Sequence, residues 1–170
     1  LNPLLTIGEQ LIETIQTHLD LDFKDSKKRA INLLQEVGIK DAENRFDNYP
    51  HQFSGGMRQR VVISLALCCE PELLIADEPT TALDVSIQSQ ILELIKTLTK
   101  ERNLAVILIT HDMGVISKTE DPVAVMKDDD LVEIGTTKEI LTNPKEIYTC
   151  LLYTSDAADD SLRVDLGGRR

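Results

Sequence analysis

The residues with most chemistry to offer are two adjacent carboxylates, Asp77 and Glu78, at the end of the apolar run LLIAD. That run follows Pro71, is too short for a helix and suits a buried strand from Glu72 to Asp77. A parallel strand ending there delivers both acids to the carboxyl edge of a sheet, where α/β folds bind ligands. One carboxylate can hold Mg²⁺ through its water shell, as Mg²⁺ prefers beside substrate phosphates. Its neighbour can orient and polarise an attacking water. The competing reading is a capping Asp with a solvated Glu beside it.

Upstream, HQFSGGMRQR places Ser54, Gly55 and Gly56 directly before a cationic, apolar-patterned helix. Small residues let backbone N–H groups approach a ligand, and a helix start adds unpaired donors and positive dipole. The combination suits an anion such as phosphate. Downstream, LAVILIT (Leu104 to Thr110) reads as a second buried strand, with His111 immediately past it. An imidazole there can bond a terminal phosphate and the water attacking it, or be simply a strand-end histidine. Asp84 closes the loop after the acidic pair and can cap the following helix.

The elements that must position these groups follow from periodicity. TIGEQLIETIQTHL and SKKRAINLLQEVGI carry apolar residues at helical spacing, with Ser26 as the expected N-cap and Gly38 as the stop. Pro50 is expected to end the broken stretch DAENRFDNYP. VSIQSQILELIKTLTKERN is a long amphipathic helix between the two apolar strands. Strand, helix and strand make a βαβ unit, and fully apolar strands predict a parallel sheet covered on both faces. VAVM and LVEI flank an acidic turn, so Asp128, Asp129 and Asp130 read as a solvated hairpin rather than a metal site. Residues 151–170 keep no period and are expected to be a non-native or disordered tail.

Composition narrows the function. The 170 residues carry a net charge of −11, against a broad basic surface tracking nucleic acid. No apolar run approaches the roughly 18 residues that span a bilayer, and the opening residues lack a signal-peptide pattern. The three cysteines show no C-x-x-C spacing, and adjacent Cys68 and Cys69 read as small buried hydrophobes in a reducing compartment. His18 and His51 are isolated and read as surface or packing residues.

Taken in order, these pieces resemble the ATP-binding subunit of an ABC transporter, and within that family the dipeptide, oligopeptide and nickel import group. FSGGMRQR is similar to the signature motif, LLIADEP to Walker B, TALD to the D-loop and ITHD to the H-loop. ADEPTTALDVSIQSQIL and NPKEIYTCLL carry the likeness to the peptide group, although KEIYT departs from its usual His-Pro-Tyr-Thr. The resemblance implies an α/β fold: a partial P-loop NTPase (RecA-like) core with a parallel sheet, plus the ABC α-helical subdomain. Residues 1–52 would be helical subdomain, and 53–150 the signature motif with the distal half of the core. It also implies ATP and Mg²⁺ as cofactors. Asp77 would hold Mg²⁺, Glu78 would be general base, and His111 would contact the γ-phosphate. Ser54, Gly55, Gly56 and Met57, with Asp84, would serve the ATP of an opposite subunit or the dimer interface.

No G-x-x-x-x-G-K-[ST] phosphate cradle occurs in the chain. The resemblance places that P-loop upstream, so the expectation is a piece that begins just after the Q-loop and does not hydrolyse ATP by itself. The expected partners are transmembrane permease subunits, a second ATP-binding subunit and, indirectly, an extracytoplasmic substrate-binding protein, with no nucleic acid. The expected location is peripheral, on the cytoplasmic face of a bacterial or archaeal membrane. Two rivals stand beside an importer ATPase: a non-catalytic interaction module, and an ABC ATPase of DNA repair or translation.

Overall fold

Local capping signals start most of the helices. The computed structural model describes residues 1–81, 83–119 and 121–152, in two units that divide between Ile109 and Thr110. In the first unit, α1 (Ile7–His18) opens on a capping box: Thr6 accepts the Glu9 N–H at 3.2 Å, and the Glu9 carboxylate accepts the Thr6 N–H at 2.7 Å. Its buried stripe is Ile7, Leu11 and Ile15, one side of a 3.6-residue period.

Helix α2 (Phe23–Glu36) is capped by Asp22, whose side chain accepts the Asp25 N–H at 2.8 Å. Ser26 is therefore not the N-cap. The carboxylate four residues earlier takes that role, and Ser26 lies buried inside the helix. The stop at Gly38 is as expected, since the chain leaves α2 with Gly38 at φ +82°. The stretch expected to be broken contains a one-turn helix, α3 (Ala42–Arg45). Pro50 opens a 3₁₀ turn, Pro50–Gln52, instead of ending an element, because its fixed φ suits a first helical position.

Helix α4 (Gly55–Leu67) follows, then β1 (Leu73–Asp77), α5 (Val85–Arg102) and β2 (Ala105–Ile109). The two strands pair in parallel from Leu73↔Ala105 to Asp77↔Ile109, the expected βαβ arrangement. Coverage of both sheet faces is not observed. Leu74 and Val106 pack on the core, whereas Ile75 and Ile107 are 61% and 50% exposed. The helices of this unit pack on one side of a two-stranded sheet only, which leaves alternate residues in solvent. The core itself joins Leu34 and Val37 near the end of α2, Val61 and Leu67 of α4, and Ile91 and Leu98 of α5 to the α1 stripe.

The second unit holds a short helix, α6 (Met113–Ile116), and the antiparallel pair β3 (Pro122–Lys127) and β4 (Asp130–Thr136). Asp128 and Asp129 turn the hairpin at φ 50° and 68°, and Asp130 begins β4 opposite Lys127, so the acidic trio lies at a hairpin turn, as expected. Helix α7 (Thr137–Thr142) repeats the Thr-Glu capping box through Thr136 and Glu139, and the chain is helical again over 147–152. Of the tail expected over 151–170, residues 151 and 152 are helical instead, continuing the turn that begins at 147, and 153 onward lies outside the described residues, as do Ala82 and Glu120. No helix among the described residues is long and apolar enough to cross a membrane.

Candidate functional site

Ser54 is the N-cap of α4. Its hydroxyl accepts the Met57 N–H at 3.3 Å, and its carbonyl accepts the Arg58 N–H at 2.9 Å. Gly55 and Gly56 are thus the first two residues of the helix and not a turn ahead of it. At those positions helix geometry supplies no i−4 acceptor for their N–H groups, so both donors stand at the positive end of a 13-residue helix. Gly56 is buried against α5: a Cβ there would lie 2.6 Å from Ile87 Cγ2. Asp84 caps α5 by accepting the Ile87 N–H at 3.0 Å. The first unit therefore brings the start of α4 and the start of α5 together, Gly55 also facing Leu83.

The cationic character of α4 is structural. Arg58 Nη1 donates to the Phe53 carbonyl at 3.2 Å, directly before the cap. Arg60 Nη1 donates to the Val37 carbonyl at 2.6 Å, and its Nη2 to Gln90 Oε1 at 3.3 Å. Arg60 thereby ties the end of α2 to α4 and α5, a cation at a helix C-terminus where the dipole favours it. Sequence reasoning did not identify these roles, because the partners of Arg60 lie 23 and 30 residues away.

Asp77 is the last residue of β1, and Glu78 turns the chain at φ 44° while its N–H donates to the Ile109 carbonyl at 2.9 Å. Both acids are exposed, so neither bears the cost of burial. The Glu78 carboxylate accepts the Thr81 hydroxyl at 2.9 Å, an orienting contact with no signal in the sequence. Among the described residues no group of three His, Cys, Asp or Glu side chains could enclose a metal. Asp77 as a single hard-oxygen donor fits Mg²⁺, which keeps most of its waters and takes its other ligands from phosphate. The N–H groups at the start of α4 fit a phosphate by the same test of donor chemistry.

His111 belongs to the second unit, one residue past its start. Next to it, Asp112 caps α6 by accepting the Gly114 and Val115 N–H groups at 2.8 and 3.2 Å. Cys68 is buried as expected, whereas Cys69, expected to be buried too, is only half-buried beyond the end of α4, and Cys150 is exposed. Two cavities in the first unit lie elsewhere, one of about 260 Å³ lined by Arg29, Glu36, Glu70 and Arg102, the other of about 460 Å³ lined by Thr6, Phe23 and Phe46. Neither is lined by a predicted site residue, and Asp77 and Glu78 are exposed.

Comparison with known proteins bears on this arrangement. The family described as ABC transporter matches residues 1–81. The dipeptide transport ATP-binding protein DppD of Bacillus subtilis is 54% identical over 168 residues, covering 99% of this chain and 49% of that protein. The oligopeptide transport ATP-binding protein AmiE of Streptococcus pneumoniae is 49% identical over 94% of this chain and 46% of its own length. The chain spans about half the length of these curated relatives. Among solved structures, the ATP-binding cassette MJ0796, a dimer in a post-hydrolysis state bound to ADP and Pi, superposes with a TM-score of 0.69 at 30% identity. That match covers 81% of this chain and 59% of the other.

Proposed function

Because the chain belongs to the ABC transporter family, we propose that it supplies the signature helix and the acid pair of an ATP-hydrolysing subunit that drives import of peptides. The observation that carries this reading is the parallel β1–β2 pair ending in Asp77 and Glu78, in the same unit as the Ser54-capped α4. In this reading Asp77 holds hydrated Mg²⁺ on ATP, and Glu78, oriented by Thr81, polarises the attacking water. His111 bonds the γ-phosphate. Ser54, Gly55 and Gly56 donate to the γ-phosphate of ATP held by the opposite subunit, with Met57 and Asp84 at that interface. Phosphoryl transfer rests mainly on positioning and charge stabilisation, which is what such donors contribute. The relatives are transport subunits, which does not favour the repair or translation rival. Their names, which speak of dipeptide and oligopeptide transport, support a peptide cargo, and the same reading carries a permease partner and a place on the cytoplasmic membrane face.

The test joins the chain to the P-loop half of the Bacillus subtilis dipeptide relative. The chimera is expected to hydrolyse Mg-ATP, and Glu78→Gln to lower the rate about 10²- to 10³-fold while ATP still binds. The isolated chain is expected to show no heat of Mg-ATP binding in the millimolar range. Hydrolysis indifferent to Glu78→Gln and His111→Ala would overturn the assignment. Tight ATP binding by the chain alone would show that another stretch replaces the P-loop.

A further inference from the structure

Cys68 and Cys69 close the C-terminal end of α4, the opposite end from Ser54. Cys68 is the C-cap residue, with αR backbone (φ −64°, ψ −22°), and the chain turns away at Glu70 with φ 53°. The two sulfurs lie only 3.4 Å apart. Cys68 is fully buried, whereas Cys69 is half-buried and directs its thiol toward the Thr14 carbonyl of α1, at 4.0 Å. The Arg29 guanidinium fixes the backbone here, donating to the Cys68 carbonyl at 2.9 Å and pairing with Glu70 at 3.0 Å.

We propose that this vicinal dithiol is a chelating site for monosubstituted trivalent arsenicals, which carry two exchangeable oxygens. Two soft sulfurs and no third ligand fit that valence, since no set of three His, Cys, Asp or Glu side chains that could hold a metal occurs among the described residues. Geometry points the same way. With bonds to sulfur of about 2.3 Å, sulfurs 3.4 Å apart subtend about 95° at the bound atom. A tetrahedral zinc would want them about 3.8 Å apart, whereas a three-coordinate arsenic with a lone pair favours the narrower angle. An internal disulfide is less well served, because neighbouring Cα atoms about 3.8 Å apart fall below the usual range for that bond.

Cys69 reacts first, being the partly exposed thiol. Burial, with the hydrogen bond to Cys69, pushes the Cys68 thiol up to about 12, so Cys68 enters as a thiol held at short range and not as a free thiolate. In the overall step R–As(OH)₂ and two thiols give R–As(S–Cys68)(S–Cys69) and two waters. Two As–O and two S–H bonds break and two As–S bonds form. Each thiol proton leaves on a departing hydroxide, arsenic stays trivalent, and no oxidant is needed.

The test treats the folded chain with phenylarsine oxide and reads the adduct by intact mass and free thiols by alkylation. One arsenical per chain is expected, with the thiols alkylatable after subsequent unfolding falling from three to one, the remaining one being Cys150. A small dithiol should reverse the adduct where an equal concentration of monothiol does not. Cys150→Ser should bind unchanged, and Cys69→Ser and Cys68→Ala should each weaken binding at least tenfold. Circular dichroism checks that each variant is folded. The proposal fails if the folded chain takes no arsenical while the urea-unfolded chain does, or if Cys69→Ser retains a dithiol-specific adduct.

Discussion

Gly56 and Ile87 meet so closely that a methyl group on the glycine would lie 2.6 Å from Ile87 Cγ2. The contact joins the first turn of α4 to the first turn of α5, each capped by its own side chain, Ser54 and Asp84. Because the facing atom belongs to a β-branched residue with few rotamers, the strain cannot be relieved by swinging a long side chain aside. Gly56→Ala is therefore expected to destabilise the chain by about 1–2 kcal/mol, overpacking outweighing the gain of roughly 1 kcal/mol that alanine normally brings to a helix. Gly55→Ala faces only the flexible end of Leu83 at 3.3 Å and should be close to neutral. Urea denaturation of the two variants checks the contrast; equal effects would remove the steric explanation.

Ser26 offers the opposite sign. Its hydroxyl is buried in α2 with no hydrogen-bond partner among the described residues. Ser26→Ala removes an unsatisfied polar group and replaces a moderate helix former by the best one. The expected gain is about 0.5–1.5 kcal/mol. A higher urea midpoint at unchanged slope would bear this out, and a lower one would mean that the hydroxyl is satisfied in solution.

The Ser26 case also shows which features a sequence exposes. Asp84 was legible as a cap because capping is a short-range bond to a backbone N–H three residues on, and an amphipathic pattern begins right after it; Ser54 was legible only as part of a small-residue anion site, although it caps α4 by the same kind of bond. Ser26 misled for the same local reason: Asp22 offers an equivalent cap four residues earlier, and the apolar spacing does not choose between them. The strand end at Asp77 was legible from an apolar run bounded by polar residues, and that of the second strand to within one residue, Thr110 expected and Ile109 observed. One-sided burial of the sheet was not, since an apolar strand has the same composition whether one face or two are covered. Arg58 and Arg60 read as mere positive charge, their carbonyl partners being set by tertiary packing. The Thr81 contact to Glu78 depends on a left-handed backbone at Glu78 that no motif announces.

Glu36 and Arg102 form a two-point pair, with Arg102 Nε and Nη2 donating to the two carboxylate oxygens at 2.7 and 2.5 Å. It links the last residue of α2 to the last residue of α5, 66 positions apart in sequence. Both side chains remain partly exposed, at 31% and 25%, so solvent and salt screen the attraction. A double-mutant cycle with Glu36→Gln and Arg102→Gln is expected to give a coupling of about 0.5–1 kcal/mol. It should shrink in 1 M salt, where the screening length falls to about 3 Å. A coupling insensitive to salt would show that packing of the side-chain stems, and not charge, holds the two helices.

Acid should release the capping box of α1. The Thr6 backbone N–H, and then its hydroxyl, hold the Glu9 carboxyl below its usual value of 4.5. A carboxyl whose folded pKa is depressed contributes stability above its unfolded pKa, and that contribution is lost as pH falls through the folded value. Wild-type chain is thus expected to exceed Glu9→Gln in melting temperature near neutral pH, where the ionised carboxylate also faces the positive end of the helix. The two curves should converge well below pH 4.5, once Glu9 is protonated. Glu139 is lowered by Thr136 in the matching box of α7, so Glu139→Gln should behave alike in the second unit. Melting curves across acid pH decide the point: a Glu9→Gln deficit that persists undiminished in acid would assign the stabilisation to side-chain shape and not to the charged cap.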